Sequence, residues 1–239
     1  MREPNMPIHN ENSWTPPLPT RATRLPPLRS RGSCRGALTD TRRNRTLVYE
    51  SRLKRNVALM LIARRDVVDI HDQPPAVLYV DVEGKPRQHT FDFLAVLADG
   101  RKIAIAVKPA EKVEHSRFDE KLALIAAQTP KSFADAAALW TDAHMSRSAV
   151  ANAELLHSAS RDIGLDDQAD EAVRDIVRNS TGRWKIADIV SRSGLAGRAF
   201  RAVIRLIFLG ELTLADEERD QRVDYESIVV ATPLCEGAR

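Results

Sequence analysis

The chain has 239 residues, 43% of them hydrophobic and 29% charged, which fits one or two domains around an ordinary buried core. No run of about 18 apolar residues is available to span a bilayer, and the N-terminus has no apolar signal-type stretch. Cys34 and Cys235 have neither metal-ligand spacing nor the pattern of a disulfide framework. The expectation is therefore a cytoplasmic protein with no membrane partner. A net charge of +3 with a pI near 9.0 is compatible with nucleic acid without demanding it.

The charge is unevenly placed. Residues 1–45 hold nine Arg, no Lys and three acids, a net +6, so the rest of the chain carries −3. Seven of the 13 prolines also lie there. With little apolar periodicity, 1–45 reads as a disordered Pro/Arg-rich arm, either touching DNA phosphates or simply solvated. Order is expected from about Thr46. Leu47, Val57 and Leu61 give a helical pattern to about Arg65. Ala76–Val82 alternates as a strand, Glu83–Pro86 is a turn, and Gln88–Leu97 is a second strand. Asp99-Gly100 signals a tight hairpin, and Arg101–Lys108 is the third strand, stopped by Pro109. A helix over Glu114–Gln128 follows. Phe133–Trp140 is alanine-rich and ambiguous, and Ser148–Ser160 is helical. Together these define a mixed α/β domain over 46–162.

After a linker at Gly164–Gln168, helices are expected at Asp170–Arg178, Trp184–Ser191 and Leu195–Leu209, the last closed by Gly210. Two strands, Leu212–Ala215 and Ser227–Val230, flank a charged loop. Three helices and a two-stranded wing make a winged-helix pattern over 163–239. In its third helix Arg198, Arg201 and Arg205 share one face, as a DNA-reading helix requires; a solvated basic face has the same pattern. The acidity of Asp216–Asp220 argues against a wing on phosphate and leaves protein contact open.

Three positions in the first domain carry chemistry. Glu50 lies near the start of the first helix. Asp92 interrupts an apolar strand, Thr90-Phe91-Asp92-Phe93-Leu94. Lys108 ends another, Ile103-Ala104-Ile105-Ala106-Val107-Lys108. Singly, each has an ordinary structural reading: a helix-dipole acid, an edge acid, a solvated strand-end lysine. A charge among buried neighbours is costly unless paired or metal-bound, and a hairpin through Asp99-Gly100 brings Asp92 and Lys108 towards one end of the sheet. Carboxylates that hold Mg2+ or Mn2+, a lysine beside them and the Val107 backbone carbonyl as a further oxygen ligand suit phosphodiester hydrolysis.

Tyr49-Glu50-Ser51, Thr90-Phe91-Asp92-Phe93-Leu94 and Ala106-Val107-Lys108-Pro109 resemble TnsA, the transposon-end endonuclease family of heteromeric transposases. Glu120-Lys121-Leu122, Leu139-Trp140-Thr141-Asp142 and Asn152-Ala153-Glu154-Leu155-Leu156 extend the likeness over about 46–160. The resemblance implies a restriction-endonuclease-like mixed sheet flanked by helices, of the PD-(D/E)xK type, with Ala136–Trp140 as its last core strand and a winged helix after it. It implies Glu50 and Asp92 as metal ligands and Lys108 as the catalytic lysine. The implied partners are double-stranded transposon ends, a DDE-type transposase that cuts the 3′ ends while this subunit cuts the 5′ ends, and an AAA+ ATPase regulator. One departure stands out: the family has Glu or Gln two residues before the lysine, and this chain has Ala106. The chain is thus read as a metal-dependent endonuclease subunit. A catalytically weakened nuclease fold that positions DNA or transposase is the alternative. A plain winged-helix regulator ranks last, because it leaves Glu50, Asp92 and Lys108 without a role.

Overall fold

A computed structural model describes residues 15–25, 34–178, 182–218 and 220–232. Cys235 and Arg2, Arg29 and Arg31 of the expected arm lie outside the described residues. Order begins earlier than Thr46. β1 (Gly36–Asp40) and β2 (Arg45–Tyr49) form an antiparallel hairpin in which Leu38 pairs with Leu47. Leu47 is therefore a strand residue. The arginines before it are anchors: Arg21 Nη2 donates to Asp69 Oδ1 (2.7 Å) and Ile70 O (2.8 Å), and Arg42 Nη2 donates to Phe208 O (2.6 Å). Composition pointed to disorder because it counts charges without their partners. These guanidiniums bind backbone carbonyls and carboxylates that distant segments supply.

α1 (Arg52–Ala63) starts after Ser51, whose Oγ accepts the Lys54 N–H, the usual satisfaction of a free first-turn donor. β3 (Val67–Asp72), which the sequence pattern did not reveal, follows it. The expected second strand divides in two. β4 (Val77–Val80) and β5 (Pro86–His89) make a separate hairpin, and β6 (Phe93–Leu97) joins the main sheet. β7 (Lys102–Val107) returns from β6 through Asp99-Gly100, with Gly100 at φ +86° as the turn requires. The expected helix over 114–128 is two helices, α2 (Ala110–Ser116) and α3 (Phe118–Gln128), broken at Arg117 with φ +48°. β8 (Ala136–Trp140) lies parallel to β7. The main sheet runs β3-β6-β7-β8 and is mixed.

The period of two divides the sheet residues between two cores. Phe93, Ala95, Ile105 and Val107 pack with α1 and α4 (Arg147–Ser160), whereas Ala104 and Ala106 pack with Phe91 and the α3 residues Phe118, Leu122 and Ile125. A third core unites α5 (Asp167–Arg178), α6 (Ile186–Ser193) and α7 (Gly197–Leu209) with a sheet of β10 (Leu212–Leu214), β11 (Ile228–Ala231) and β9 (Arg183–Lys185). Trp184 is thus in a short strand, and the helix expected from it begins at Ile186. α7 closes on Gly210 at φ +83°, where a side chain would also collide with the Arg65 guanidinium. Phe208 of α7 belongs to the first core, and α4 contributes Ala153 to that core and Ala159 to the third.

Candidate active site

The hairpin β6–β7 and the entry to α1 deliver the three chemical residues to one cleft of ≈ 360 Å³, lined by Glu50, Lys54, Gln73, His89, Asp92 and Lys108 among others. Asp92 immediately precedes β6. Its N–H donates to Ile105 O (2.8 Å), and its Oδ2 accepts the Val107 N–H (2.7 Å). The carboxylate is thereby fixed against the end of β7. Glu50 sits at the bend between β2 and the cap residue Ser51.

Lys54, one turn into α1, joins the two acids. Its Nζ lies 2.7 Å from Asp92 Oδ1 and 2.9 Å from Glu50 Oε2. All three side chains are largely covered, at 19%, 16% and 22% exposure for Lys54, Asp92 and Glu50. Burial raises the Glu50 carboxyl, but the hydrogen bond and charge of Lys54, helped by Gln73 and Arg24, bring it to a net position below its usual value. For Lys54, burial works against the charged form, and the charges and hydrogen bonds of Asp92 and Glu50 outweigh it to raise the ammonium. Gln73 is held in the left-handed region at φ +41° while its N–H donates to Asp92 O (2.9 Å). Such strain persists where neighbours over-determine it, as is common at functional sites. Lys108 points over the Phe118 ring, Nζ 4.8 Å from its centroid. Beside it His89 meets Phe91 edge-on, its Nε2 buried and unpartnered, and burial lowers its pKa.

Glu50, Asp92 and Lys108 therefore line one cleft, and Val107 lines it too; the hairpin through Asp99-Gly100 predicts this for Asp92 and Lys108 alone. Ala106 also lines the cleft, and among the described lining residues the acids are Glu50 and Asp92, so no other carboxylate fills the place that Ala106 leaves. Among the described residues no group of three or more His, Cys, Asp or Glu is placed to hold a metal ion. Two hard carboxylate oxygens that already converge on one cationic point nonetheless fit Mg2+, which commonly takes one or two carboxylates and completes its shell with water and substrate oxygens. Lys54 and Gln73 are the functional residues that the sequence reading missed. Lys54 had a visible signal, since Glu50 and Lys54 are four apart on a helical entry; Gln73 had none.

Arg198, Arg201 and Arg205 each meet a carboxylate, and Arg205 is buried. Arg198 binds Asp166 (2.6 Å), Arg201 binds Asp162, and Arg205, 2% exposed, binds Asp170 through Nε and Nη2 at 2.8 and 2.6 Å. Only the Arg205 end of the α7 face that the spacing defined is buried on α5; the Arg198 and Arg201 side chains keep 51% and 39% exposure. Basic groups without carboxylate partners lie elsewhere. A second cleft of ≈ 690 Å³ shares His89, Lys108 and Phe118 with the first and adds Lys112, His115 and Lys121 from α2 and α3. Neither Lys112 nor Lys121 has an ion-pair partner among the described residues.

The architecture and this cleft define a mixed α/β protein in which a sheet hairpin and a helix entry assemble two acids and a lysine. Residues 64–131 match the sequence model of the family described as TnsA-like endonuclease N terminal. That stretch holds Asp92, Val107 and Lys108 and is similar to a nuclease domain; Glu50 precedes it. The match supports a likeness to a TnsA-like endonuclease N-terminal domain over those residues, which are less than half of the chain. No curated protein matches the chain. No described helix is long and apolar enough to cross a membrane.

Proposed function

We propose that the chain is the DNA-cutting subunit of a TnsA-like heteromeric transposase and hydrolyses phosphodiester bonds at the 5′ ends of a mobile element with Mg2+ or Mn2+. The observation that carries this reading is the convergence of Glu50 and Asp92 on one cationic point beside Lys108. In this reading Glu50, Asp92 and the Val107 carbonyl hold the divalent ion. When bound, that ion supplies charge stabilisation at the phosphoryl oxygens and a more acidic water. The Lys108 ammonium orients the attacking water and offsets charge that develops on the phosphate. Lys112 and Lys121 lead the DNA backbone in through the adjoining cleft.

The order α5, β9, α6, α7, β10, β11 supports a reading of residues 163–239 as a winged helix. With Arg205 buried on Asp170 and Arg198 and Arg201 paired to carboxylates at the surface, it serves as the docking unit for a DDE-type transposase or an AAA+ ATPase. A second reading, a DNA-positioning subunit with weak metal binding, is favoured by Ala106 alone. The test is cleavage of supercoiled DNA that carries element ends, with the transposase partner and Mg2+ or Mn2+. We expect 5′-end cutting in the wild type and its loss in Asp92→Ala and Lys108→Ala. Cutting unchanged in both variants overturns the site assignment, and no cutting in the wild type leaves the positioning role.

A further inference from the structure

The proposed chemistry makes no use of Lys54, yet its ammonium is the group on which the two acids converge. We propose that Lys54 is a tethered cation that occupies the divalent-ion position between Glu50 and Asp92 in the free protein, and that it yields this position when a DNA phosphate offers its ammonium another partner. This inference rests on the metal-site reading above and adds to it the rule for when the ion binds.

The geometry forces the exclusion. Asp92 spends Oδ2 on the Val107 N–H and Oδ1 on Lys54. Glu50 spends Oε2 on Lys54 and is also bonded by the Gln73 side chain. The lone pairs that face the shared point thus already meet a cation. A Mg2+ ion would need the same oxygens at about 2.0–2.1 Å, so ion and ammonium would overlap there and repel. The charge balance agrees. Glu50 and Asp92 against Lys54, Lys108 and Arg24 sum to +1 over the cleft lining, and Ala106 supplies no further negative charge, so the free cleft attracts a divalent ion weakly.

The same residue is built to leave. Its backbone is locked at the start of α1, where the Ser51 Oγ accepts its N–H. Its four-carbon stem and rotatable ammonium can swing without moving the helix. The cleft joins the one beside it, lined by Lys112 and Lys121, through His89, Lys108 and Phe118, so a phosphate drawn in there enters the cleft that Lys54 lines. A charge-assisted bond to that phosphate replaces the bonds Lys54 gives up. The two carboxylates, left facing each other, then demand a cation. By linkage, DNA raises metal affinity and metal raises DNA affinity by one common factor.

The experiment is calorimetric titration of the full chain with Ca2+ and Mn2+, with and without a short DNA duplex, on wild type, Lys54→Met and Asp92→Asn, together with melting temperatures. Lys54→Met keeps the stem and removes the charge. We expect it to bind Mn2+ without DNA about 10-fold tighter than wild type, within the usual range of site coupling, and to gain more melting temperature from the ion. In wild type the duplex should raise Ca2+ affinity by a similar factor, and in Lys54→Met that enhancement should shrink towards none. Equal affinities for wild type and Lys54→Met, both lost in Asp92→Asn, overturn the role of Lys54 and leave the metal site standing. No binding in any protein, or binding that survives Asp92→Asn, overturns the metal site itself and this inference with it. Should Lys54→Met fail to fold, the wild type decides alone, since Ca2+ affinity indifferent to DNA overturns the proposal.

Discussion

Asp170→Ala separates two uses of the arginines on α7. Arg205 and Asp170 form an ion pair between α7 and α5 with side chains 2% and 5% exposed. Both guanidinium contacts, at 2.8 and 2.6 Å, go to a single carboxylate oxygen. Truncation of the acid leaves an uncompensated guanidinium in a core that also contains Val173, Ile204 and Leu206. Breaking a buried pair in this way costs about 3–5 kcal/mol. For a chain of this length that lowers the melting temperature by about 6–20 °C, at roughly 2–4 °C per kcal/mol. Replacement of both partners by apolar groups, Asp170→Leu with Arg205→Met, should recover most of the loss, because an apolar pair of similar volume needs no compensation. Urea titration followed by far-UV circular dichroism reads both variants, with the slope m unchanged and the midpoint moved. A loss below about 1 kcal/mol in Asp170→Ala would refute the structural role. So would an Arg205→Met variant of wild-type stability that binds DNA more weakly, since that is the behaviour of a DNA-contacting arginine.

Three further outcomes are expected. Lys112→Gln with Lys121→Gln should weaken binding to duplex DNA and flatten the dependence of log affinity on log salt by about 2, at roughly 0.9 per phosphate contact, whereas Arg198→Gln should leave the slope as it is; electrophoretic mobility shifts across a salt series measure both. Ala106→Gln restores the side chain usual two residues before the lysine, and Mn2+ titration should show about 10-fold tighter binding; unchanged affinity would mean that the new side chain packs among Phe91 and Phe118 instead. Burial, ahead of all other influences, lowers the pKa of His157, whose Nε2 bonds Thr39 O at 2.8 Å. The unfolded chain therefore takes up a proton near the ordinary value of about 6.5 while the native chain resists it. Stability should be full above that pH and decline as the pH falls below it, and melting temperatures of His157→Gln should decline less steeply over the same range.

The sequence was most informative where local chemistry is self-sufficient. Asp99-Gly100 made its hairpin because the turn needs a glycine at positive φ, and Gly210 ended α7 for the same reason. Glu50, Asp92 and Lys108 could be singled out because charges at the ends of apolar runs need an explanation. Alanine content left Ala136–Trp140 undecided, and only the family likeness gave the strand that pairs with β7. Misreadings arose where a distant partner decides. Arg205 of the α7 stripe is buried on Asp170, while Arg198 and Arg201 stay 51% and 39% exposed beside Asp166 and Asp162, an acidic series at spacings of four that was visible in the sequence. The N-terminal arginines failed in the same way, because their acceptors are mostly backbone carbonyls, which no sequence pattern displays. The strain at Gln73 arises from the meeting of β3 with Asp92 and has no local signature.

α4 has a consequence for how the molecule comes apart. It gives Ala153 to the core beneath the sheet and Ala159 to the core of the C-terminal helices, while Asn152 grips both Gln221 O and the Val223 N–H. Phe208 returns from α7 to the first core and carries Arg42 over its ring at 3.9 Å. Removal of the C-terminal half takes Phe208 from the first core, and removal of the N-terminal half takes Ala159 from the third. A chain cut between residues 162 and 163 would separate Phe208 from the first core, Ala159 from the third, and Asn152 from its two backbone partners, so the two halves of the intact chain should melt in a single transition.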